Sequence, residues 1–580
     1  MLVKSILQQY VKAIFDLWHR DAREESLYPA LKELIEEIGK ALGHEQIDIT
    51  VLPKKTEVGN PDFRIWDGNA RIIGYIEAKK PDVISLENLI HSEQIERYRT
   101  TFQNFILTDF LNFYLFRNEE LVRTVSIARK ELLISKLEPP IENVNEFKKL
   151  LEDFFSFSTP AYKYAHELAR VLAYKTQFLR DQVLTTELKQ NDYLKGLKEV
   201  VEKQLVYGLS DKQFVDMYAQ TLTYGLFAAR MRTHNPDNFT RLTAIQYIPK
   251  SIGVLYELFK FISVMADLPK SIQVIIEDII DVLRNTDVNA ILHQYRTARG
   301  DDDPIIHFYE TFLAEYDPDL RERRGIYYTP LPVVKYIISA VDHLLQEVFQ
   351  QNKENKDGLA DPNVKILDPA AGTITFLAQA IHKALETVEQ TYGSGFINQI
   401  IKTHILNNFY GFELMMAPYV IGHIKASFTL EEYDYVLQES ERFPLYLTNT
   451  LEVHPPQKNR LFPLLSQEGE EALKIKQETP ILVIMGNPPY SGHSANQNEW
   501  IDKLLKKDID GLQSYYKVDG KPLDEKNPKW LQDDYVKFIR FAQWKINKHG
   551  KGIVAMITNH SYLDNATFRG MRQSLLKTFD

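Results

Sequence analysis

The 580-residue chain contains no cysteine. That excludes disulfide bridges, thiolate zinc sites and a thiol nucleophile, and it leaves carboxylates and histidine to hold any metal. Long apolar runs are missing too. The opening MLVKSILQQYVKAIFDLW is broken by Gln8 and Gln9, and no later stretch approaches the roughly 20 apolar residues of a membrane helix. A soluble, cytoplasmic protein that makes no use of a membrane is therefore expected. Basic charge is also scarce, with 69 Lys and Arg against 79 Asp and Glu for a net charge of −10. The surface as a whole cannot grip phosphate, so any nucleic-acid groove must be local. There is no internal repeat, no low-complexity tract and no GxxxxGK[ST] pattern, and the last absence argues against an ATP-driven motor. What remains, 44% hydrophobic and 26% charged residues, is ordinary globular composition. At about 150 residues per domain, the length suggests roughly three or four domains.

Apolar spacing divides the chain. Ile14, Leu17, Leu27, Leu31, Leu34 and Ile38 recur at helical intervals, so one or two amphipathic helices open it. From Ile47 to Asp109 the period turns to two, with Asp67-Gly68-Asn69 placed to join DFRIW and RIIGYIEAK as a hairpin. A helix and a further strand near Phe105 to Leu107 follow. Pro139-Pro140 and the stretch to Pro160 mark a linker zone, and helical periodicity then runs to about residue 320. Beyond Gly325 strands and helices alternate, as in KILDPAAG, ILVIMGNPPY and KGIVAMITN, which predicts a doubly wound parallel sheet. The expected architecture is multidomain α/β: a small α/β domain over 1–150, a helical connector over 151–320 and a Rossmann-like domain over 321–580. The closing LLKTFD reads as a helix leading into a strand that Asp580 leaves unmade, so this last domain is expected to be C-terminally incomplete or to be completed by another chain.

Two constellations carry chemistry. In the first, Pro61-Asp62 is followed by Glu77-Ala78-Lys79, the spacing of the PD-(D/E)xK phosphodiesterase site. There two carboxylates hold Mg²⁺, which neutralises phosphate charge and supplies hydroxide, while the lysine helps to orient the attacking water. Glu77 and Lys79 alternate along an apparent strand and share a face, and a loop at 67–70 would set Asp62 opposite Tyr75 on that same face. Glu187-Leu188-Lys189 repeats the ExK half, but on a helix its ends point about 200° apart. Gln94 and Tyr98 add the QxxxY pattern that accompanies this motif in the RecB-like branch. The metal positions expected are Asp62, Glu77 and Ala78, with Glu24 or Glu25 as a possible further ligand.

The second constellation begins with Asn487-Pro488-Pro489-Tyr490 after the apolar run ILVIMG, at the carboxyl end of a buried strand. An amide oxygen and the Pro488 carbonyl, held by rigid prolines, can accept both hydrogens of an exocyclic NH₂, and Tyr490 offers an aromatic face to a base taken out of its stack. Asp368-Pro369-Ala370-Ala371-Gly372-Thr373 forms a strand-turn-helix unit suited to cradle a cofactor. Glu413 follows an apparent strand where a carboxylate would bind ribose hydroxyls, and Asn449 follows a third.

The order GIYYTP, DPAAGTITF, YGFE, LTNTL, NPPY, GIVAMITN resembles motifs X, I, II, III, IV and VI of the γ-class N6-adenine DNA methyltransferases. The resemblance implies S-adenosyl-L-methionine as donor. It implies a pocket from Tyr328, Thr329 and Pro330, from Asp368, Pro369, Ala370, Gly372 and Phe376, and from Glu413 and Asn449, with Asn487, Pro488, Pro489 and Tyr490 catalytic. Asn449 stands where an aspartate is commoner. Ala371 replaces a cysteine and Ile374 replaces a glycine, and that branched side chain is expected to narrow the donor pocket. A nuclease, a helical connector and this methyltransferase, in that order without a motor, resemble type IIG restriction-modification enzymes, close relatives of the type ISP enzymes. That resemblance implies methylation of a double-stranded DNA site and Mg²⁺-dependent cutting of unmodified DNA. It implies as well a target-recognition domain, absent from this sequence, or a separate specificity subunit. Two other readings stay open: a methyltransferase acting on DNA, RNA or protein beside a non-cutting nuclease-like domain, and a non-catalytic DNA-binding remnant. Arg230 and Arg232 are expected on a solvated helical face, His307 and His560 in structural or exposed roles, and Asp301 to Asp303 in a polar loop.

Overall fold

The computed structural model describes residues 2–20, 23–51, 61–67, 72–82, 85–157, 161–204, 208–233, 235–248, 252–264, 268–291, 304–317, 329–349, 357–438, 440–453, 463–490, 494, 496–525 and 528–580. The hairpin turn at Gly68 to Ala70, the triplet Asp301 to Asp303 and residues Gly325 to Tyr328 lie outside them. No described helix is long and apolar enough to cross a membrane. The chain forms a mixed α/β protein of two compact units. One comprises Met1–Glu187, Thr233–Arg241 and Met265–Ile291, the other Leu188–Arg232, Leu242–Val264 and Leu292–Asp580. The helical stretch 151–320, expected as one connector, is thus shared between the two units.

The first unit holds a six-stranded sheet in sequential order: β1 (Asp48–Val51), β2 (Phe63–Trp66), β3 (Ile72–Ala78), β4 (Asn104–Thr108), β5 (Asn112–Arg117) and β6 (Glu120–Ser126). All neighbours are antiparallel except β3 and β4. A parallel pair needs a crossover, and the segment carrying the helix Glu93–Thr101 supplies it. Ser92 caps that helix by accepting from the Ile95 amide at 3.4 Å. One face of the sheet, with Phe63, Ile65, Ile76, Ala78 and Ile106, packs with Leu7, Ile14, Leu31, Ile38 and Leu150 of three helices into a continuous core. Each of the Leu, Ile and Phe side chains among them contributes about 1.5–3 kcal/mol on burial. The other face carries Tyr75 and Phe105, whose rings join Phe102, Tyr98 and Phe178 in a contiguous aromatic cluster. Lys175 is buried beside it, donating to the Thr101 carbonyl at 2.9 Å and to Asp278 Oδ2 at 2.5 Å.

The second unit holds a five-stranded, all-parallel sheet of β7 (Ile366–Asp368), β8 (Phe409–Glu413), β9 (Leu445–Leu447), β10 (Val483–Gly486) and, after a two-stranded hairpin of β11 (Lys517–Val518) and β12 (Lys521–Pro522), β13 (Ile553–Met556). The strand order is β13-β10-β7-β8-β9. Chain order therefore reverses between β7 and β10, the crevice where open parallel sheets place their ligands. Leu367, Phe412, Tyr446 and Ile484 face a core built with the helices Pro463–Gln477, Glu499–Lys506 and Asp534–His549. The helices Thr375–Tyr392 and Met416–Glu431 also pack on the sheet. Lys545 is buried and caps the helix Pro463–Gln477 by donating to the carbonyls of Ile475 (2.6 Å) and Lys476 (2.8 Å), groups that the helix leaves without internal partners.

Candidate functional site

In the first unit the hairpin β2–β3 pairs Phe63 with Ile76 and Arg64 with Tyr75, then slips between Ile65 and Trp66, where Ile73 is the extra residue of a bulge. That register brings Asp62 level with Glu77 rather than with Tyr75, a difference of two residues that leaves the shared face intact. Both carboxylates are buried. Asp62 Oδ2 accepts from the Ala78 amide at 2.8 Å, and Asp62 Oδ1 accepts from the Tyr28 hydroxyl at 2.5 Å. Glu77 Oε1 accepts from Lys79 Nζ at 2.6 Å and from Gln94 Nε2 at 3.2 Å, while Gln94 Nε2 lies 3.1 Å from the Tyr98 hydroxyl. The structure thus brings Asp62, Glu77, Lys79, Gln94 and Tyr98 into one cluster. Burial, with the Glu77 carboxylate adding to it, holds the Tyr98 phenol well above its ordinary range, so it remains a proton donor.

Two members of this cluster have no signal in the spacing of motifs. Tyr28 begins the helix Tyr28–Ala41, and Glu24, one of the two residues considered as a further ligand, sits on a preceding 3₁₀ turn, buried, with Oε1 at 3.2 Å from the Tyr28 hydroxyl. Ala78 participates through its backbone N–H on Asp62. Glu187 is buried elsewhere and accepts from Ser271 Oγ at 2.5 Å, which accounts for it as a structural carboxylate. No group of three or more His, Cys, Asp or Glu side chains spaced to hold a metal occurs among the described residues. Two hard carboxylates nevertheless fit Mg²⁺, which is commonly bound through one or two carboxylates and retains several waters.

In the second unit the site gathers at the carboxyl ends of β7, β8 and β10. Asp368 ends β7 and accepts from the Ala370 amide at 3.1 Å. Beside it in the sheet lies Gly486, where an added Cβ would come within 2.4 Å of Asp368 Oδ1, so only glycine admits that carboxyl. Burial pushes the Asp368 carboxyl up to about 8, with the Glu413 charge adding to the shift. The turn after β7 passes through Gly372 at φ 54°, and its Cβ direction meets nothing within 4 Å. Glu413, at the end of β8, accepts from the Gly372 amide (2.8 Å) on Oε2 and from the Met415 amide (2.7 Å) on Oε1. A carboxylate so held keeps lone pairs for hydroxyl donors, and open space lies beside the glycine turn. The arrangement fits a ligand carrying hydroxyls and an ammonium, as S-adenosylmethionine does.

Ile374 corrects one expectation. It adopts φ 59°, the left-handed conformation that favours glycine and costs a branched residue about 1–2 kcal/mol. Its side chain is fully buried, though, and lies 3.1 Å from where a Cβ on Gly422 would stand, so it fills core against the helix Met416–Glu431 instead of narrowing the open space at Gly372. Phe376 is buried in the next turn of its helix.

Asn487 follows β10. Its Nδ2 donates to Thr329 Oγ1 at 3.2 Å, across 158 residues of sequence, and its Oδ1 accepts from the Tyr490 hydroxyl at 2.9 Å. The amide is thereby oriented while Oδ1 keeps a second lone pair. The Tyr490 ring meets Tyr535 edge-on at 6.2 Å. Asn449 accepts from the Leu451 amide at 3.0 Å and donates to Asn496 Oδ1 at 2.8 Å. Asn496 in turn donates to Asp534 at 2.9 Å, and buried Lys537 donates to Ser494 Oγ at 2.8 Å and to the Asn496 carbonyl at 2.5 Å. Thr450 Oγ1 donates to the Pro369 carbonyl at 2.5 Å. Lys476, fully buried and lowered by that burial to about 7, donates to Thr448 Oγ1 and to the Asn449 and Glu452 carbonyls at 2.7, 2.6 and 3.2 Å. Neither lysine belongs to a recognisable motif, since each acts on backbone and hydroxyl groups that only the fold brings near.

Of the other residues weighed from sequence, Arg230 is buried, which departs from the expected solvated face, whereas Arg232 is exposed with its guanidinium 3.1 Å from Ser427 Oγ. His560 is exposed at the start of a short helix, and His307 lies on the helix Pro304–Tyr316. Tyr328 falls outside the described residues, and Pro330 precedes the helix Leu331–Glu347.

No curated protein matches the chain in sequence. Among solved structures it is similar to DrdV in a cryoEM structure of a DrdV–DNA complex, at 23% identity over 100% of this chain and 52% of that one, with a TM-score of 0.49. It is similar to the ATP-dependent type ISP restriction-modification enzyme LlaBIII bound to DNA, at 21% identity over 77% and 28% of the two chains, with a TM-score of 0.52. A nuclease-deletion mutant of the type ISP enzyme LlaGI, in complex with a DNA substrate mimic, is similar at 21% identity over 75% and 33%, with a TM-score of 0.49. The chain spans 52% of the length of DrdV and 28% of that of LlaBIII, and the likeness to LlaBIII is one of fold. Residues 300–532, which contain the ends of β7, β8 and β10 and the tetrapeptide Asn487 to Tyr490, match the N-6 DNA Methylase family model. The chain therefore carries an N6 DNA methyltransferase domain, of a family whose members use S-adenosylmethionine.

Proposed function

We propose that the chain is a type IIG-like restriction-modification enzyme, which methylates adenine N6 within a specific double-stranded DNA site and cuts unmodified DNA with Mg²⁺. The observation that carries the methylation half is Asn487, held between Thr329 and Tyr490 beside the buried Asp368 at the crevice between β7 and β10. In this reading the adenine leaves its stack and lies against Tyr490. Asn487 Oδ1 and the Pro488 carbonyl accept its two N6 hydrogens, which aims the nitrogen lone pair outward, and Pro489 keeps the turn rigid. The donor, when bound, supplies an electrophilic methyl group. Asp368, Gly372, Phe376, Glu413, Asn449 and Thr329 form the wall that positions it, with Pro369 and Ala370 completing the turn.

The cleavage half rests on the convergence of Asp62, Glu77, Lys79, Gln94 and Tyr98. Asp62 and Glu77 would hold Mg²⁺, which supplies charge neutralisation and an activated water when bound. Lys79 orients that water, and Gln94 fixes the Glu77 carboxylate. Single-molecule sequencing of DNA from cells expressing the chain tests the first half: N6-methyladenine at one motif, lost in Asn487→Ala, is expected. Incubation of unmethylated DNA with Mg²⁺ tests the second, with cutting expected from the parent protein and none from Asp62→Ala. Methyl transfer confined to RNA or protein would overturn the DNA assignment.

A further inference from the structure

We infer that Tyr28 is a positioning residue of the metal site in the amino-terminal unit, setting by one hydrogen bond the orientation of the carboxylate that binds the cation. The inference rests on the nuclease reading above.

The argument starts from the phenol's surroundings. Tyr28 is 5% exposed, at the first position of the helix Tyr28–Ala41, and its ring is held at 4.9 Å from Phe63 and 6.4 Å from Phe110. Its hydroxyl lies 2.5 Å from Asp62 Oδ1 and 3.2 Å from Glu24 Oε1. A phenol has one proton, and the shorter contact directs it to Asp62. Asp62 Oδ2 is meanwhile fixed by the Ala78 amide. The carboxylate is thus clamped at both oxygens, on one side by the strand that carries Glu77 and on the other by a helix far away in sequence. Each carboxylate oxygen has two lone pairs, so the clamp orients the group without filling it.

Hydrogen bonds of this kind, from a neighbour to a metal-binding group, typically change metal affinity by about 10–100-fold when removed. The same hydroxyl also brings Glu24 within reach of the cluster, which ties the 3₁₀ turn before the helix to the site. The ring packing is untouched by loss of the oxygen, so Tyr28→Phe separates positioning from folding.

The experiment uses the full chain. Mn²⁺ binding is followed by electron paramagnetic resonance, and Mg²⁺ is titrated into a DNA-cleavage assay, for the parent, Tyr28→Phe, Tyr28→Trp and Asp62→Ala, with methyl transfer and thermal melting measured on each. Tyr28→Phe is expected to weaken Mn²⁺ binding by about tenfold or more and to raise the Mg²⁺ concentration for half-maximal cutting in parallel, with methylation unchanged and melting lowered only by the loss of one buried hydrogen bond. Cutting at saturating Mg²⁺ should recover most of the parent rate, a split that loss of structure would not give. Tyr28→Trp keeps an aromatic ring and a donor but moves the N–H away from the position of the phenol oxygen, and should show a defect at least as large. Parent-like Mn²⁺ binding in Tyr28→Phe, while Asp62→Ala abolishes it, would overturn the role given to Tyr28 and leave the nuclease reading standing. Intact binding and cutting in Asp62→Ala would remove the nuclease reading itself.

Discussion

The two sites are assembled from opposite uses of chain length. In the amino-terminal unit Asp62, Glu77, Lys79, Gln94 and Tyr98 come from one hairpin and the helix after it, so a short stretch of sequence already contains the chemistry. In the carboxyl-terminal unit Thr329, Asp368, Glu413, Asn449 and Asn487 come from five separated segments, and they meet because a parallel sheet reverses its strand order between β7 and β10. Their electrostatics differ in the same way. Lys79 and Gln94 donate to Glu77, and Tyr28 and the Ala78 amide donate to Asp62, whereas Asp368 has one backbone amide and is driven by burial towards the neutral acid. The strand-end carboxylates Asp368 and Glu413 are held by backbone amides, while side chains from two helices reach the pair on the hairpin.

The largest expected effects would break this division into two chemistries. Asp62→Ala should reduce cleavage on the order of 10³-fold with methyl transfer intact, and Asn487→Ala should do the reverse by a similar factor, read by digestion of unmethylated plasmid and by transfer of labelled methyl groups. If either substitution impairs both activities equally, the sites are not chemically separate. Next in size is the buried ion pair of the first unit. Lys175→Met should destabilise the protein by about 3 kcal/mol in denaturant unfolding, because Asp278 loses its partner, and the double replacement with Asp278→Leu should restore much of the loss.

A smaller effect tests how closely the strand ends approach. Gly486→Ala would place a Cβ against Asp368 Oδ1 and should cost about 1–3 kcal/mol in stability, together with weaker donor binding in calorimetry. A further test is a pH dependence. A carboxyl raised from 3.8 to about 8 binds its proton more firmly folded than unfolded, so its contribution is complete below pH 3.8 and is lost as pH rises through 8. Lys476, lowered from 10.5 to about 7, acts with the opposite slope, adding stability as pH rises from 7 to 10.5. Asp368→Asn should therefore flatten the decline in melting temperature between about pH 4 and 8 and leave the higher range as it was.

Much of both sites is legible in the residues themselves, for stated reasons. The ExK spacing on a strand sets Glu77 and Lys79 two residues apart and so on one face, and the apolar run before Asn487 requires a buried strand with its chemistry at the end. Alternating strand and helix signals beyond Gly325 are enough to predict a parallel α/β sheet, because each crossover needs a helix. What spacing could not give is contact between distant elements. The bulge at Ile73 accounts for one of the two residues by which the hairpin register departs from expectation, and the other is already present where Trp66 pairs with Ile72. Ile374, which breaks the glycine pattern of its motif, proves compatible because Gly422 on another helix leaves room for it. Tyr28 on Asp62, Thr329 on Asn487, and Lys476 and Lys537 on backbone carbonyls are invisible before folding for one reason. A hydrogen bond is directional and short-ranged, and which donor reaches which acceptor is decided only once tertiary packing has set the distances.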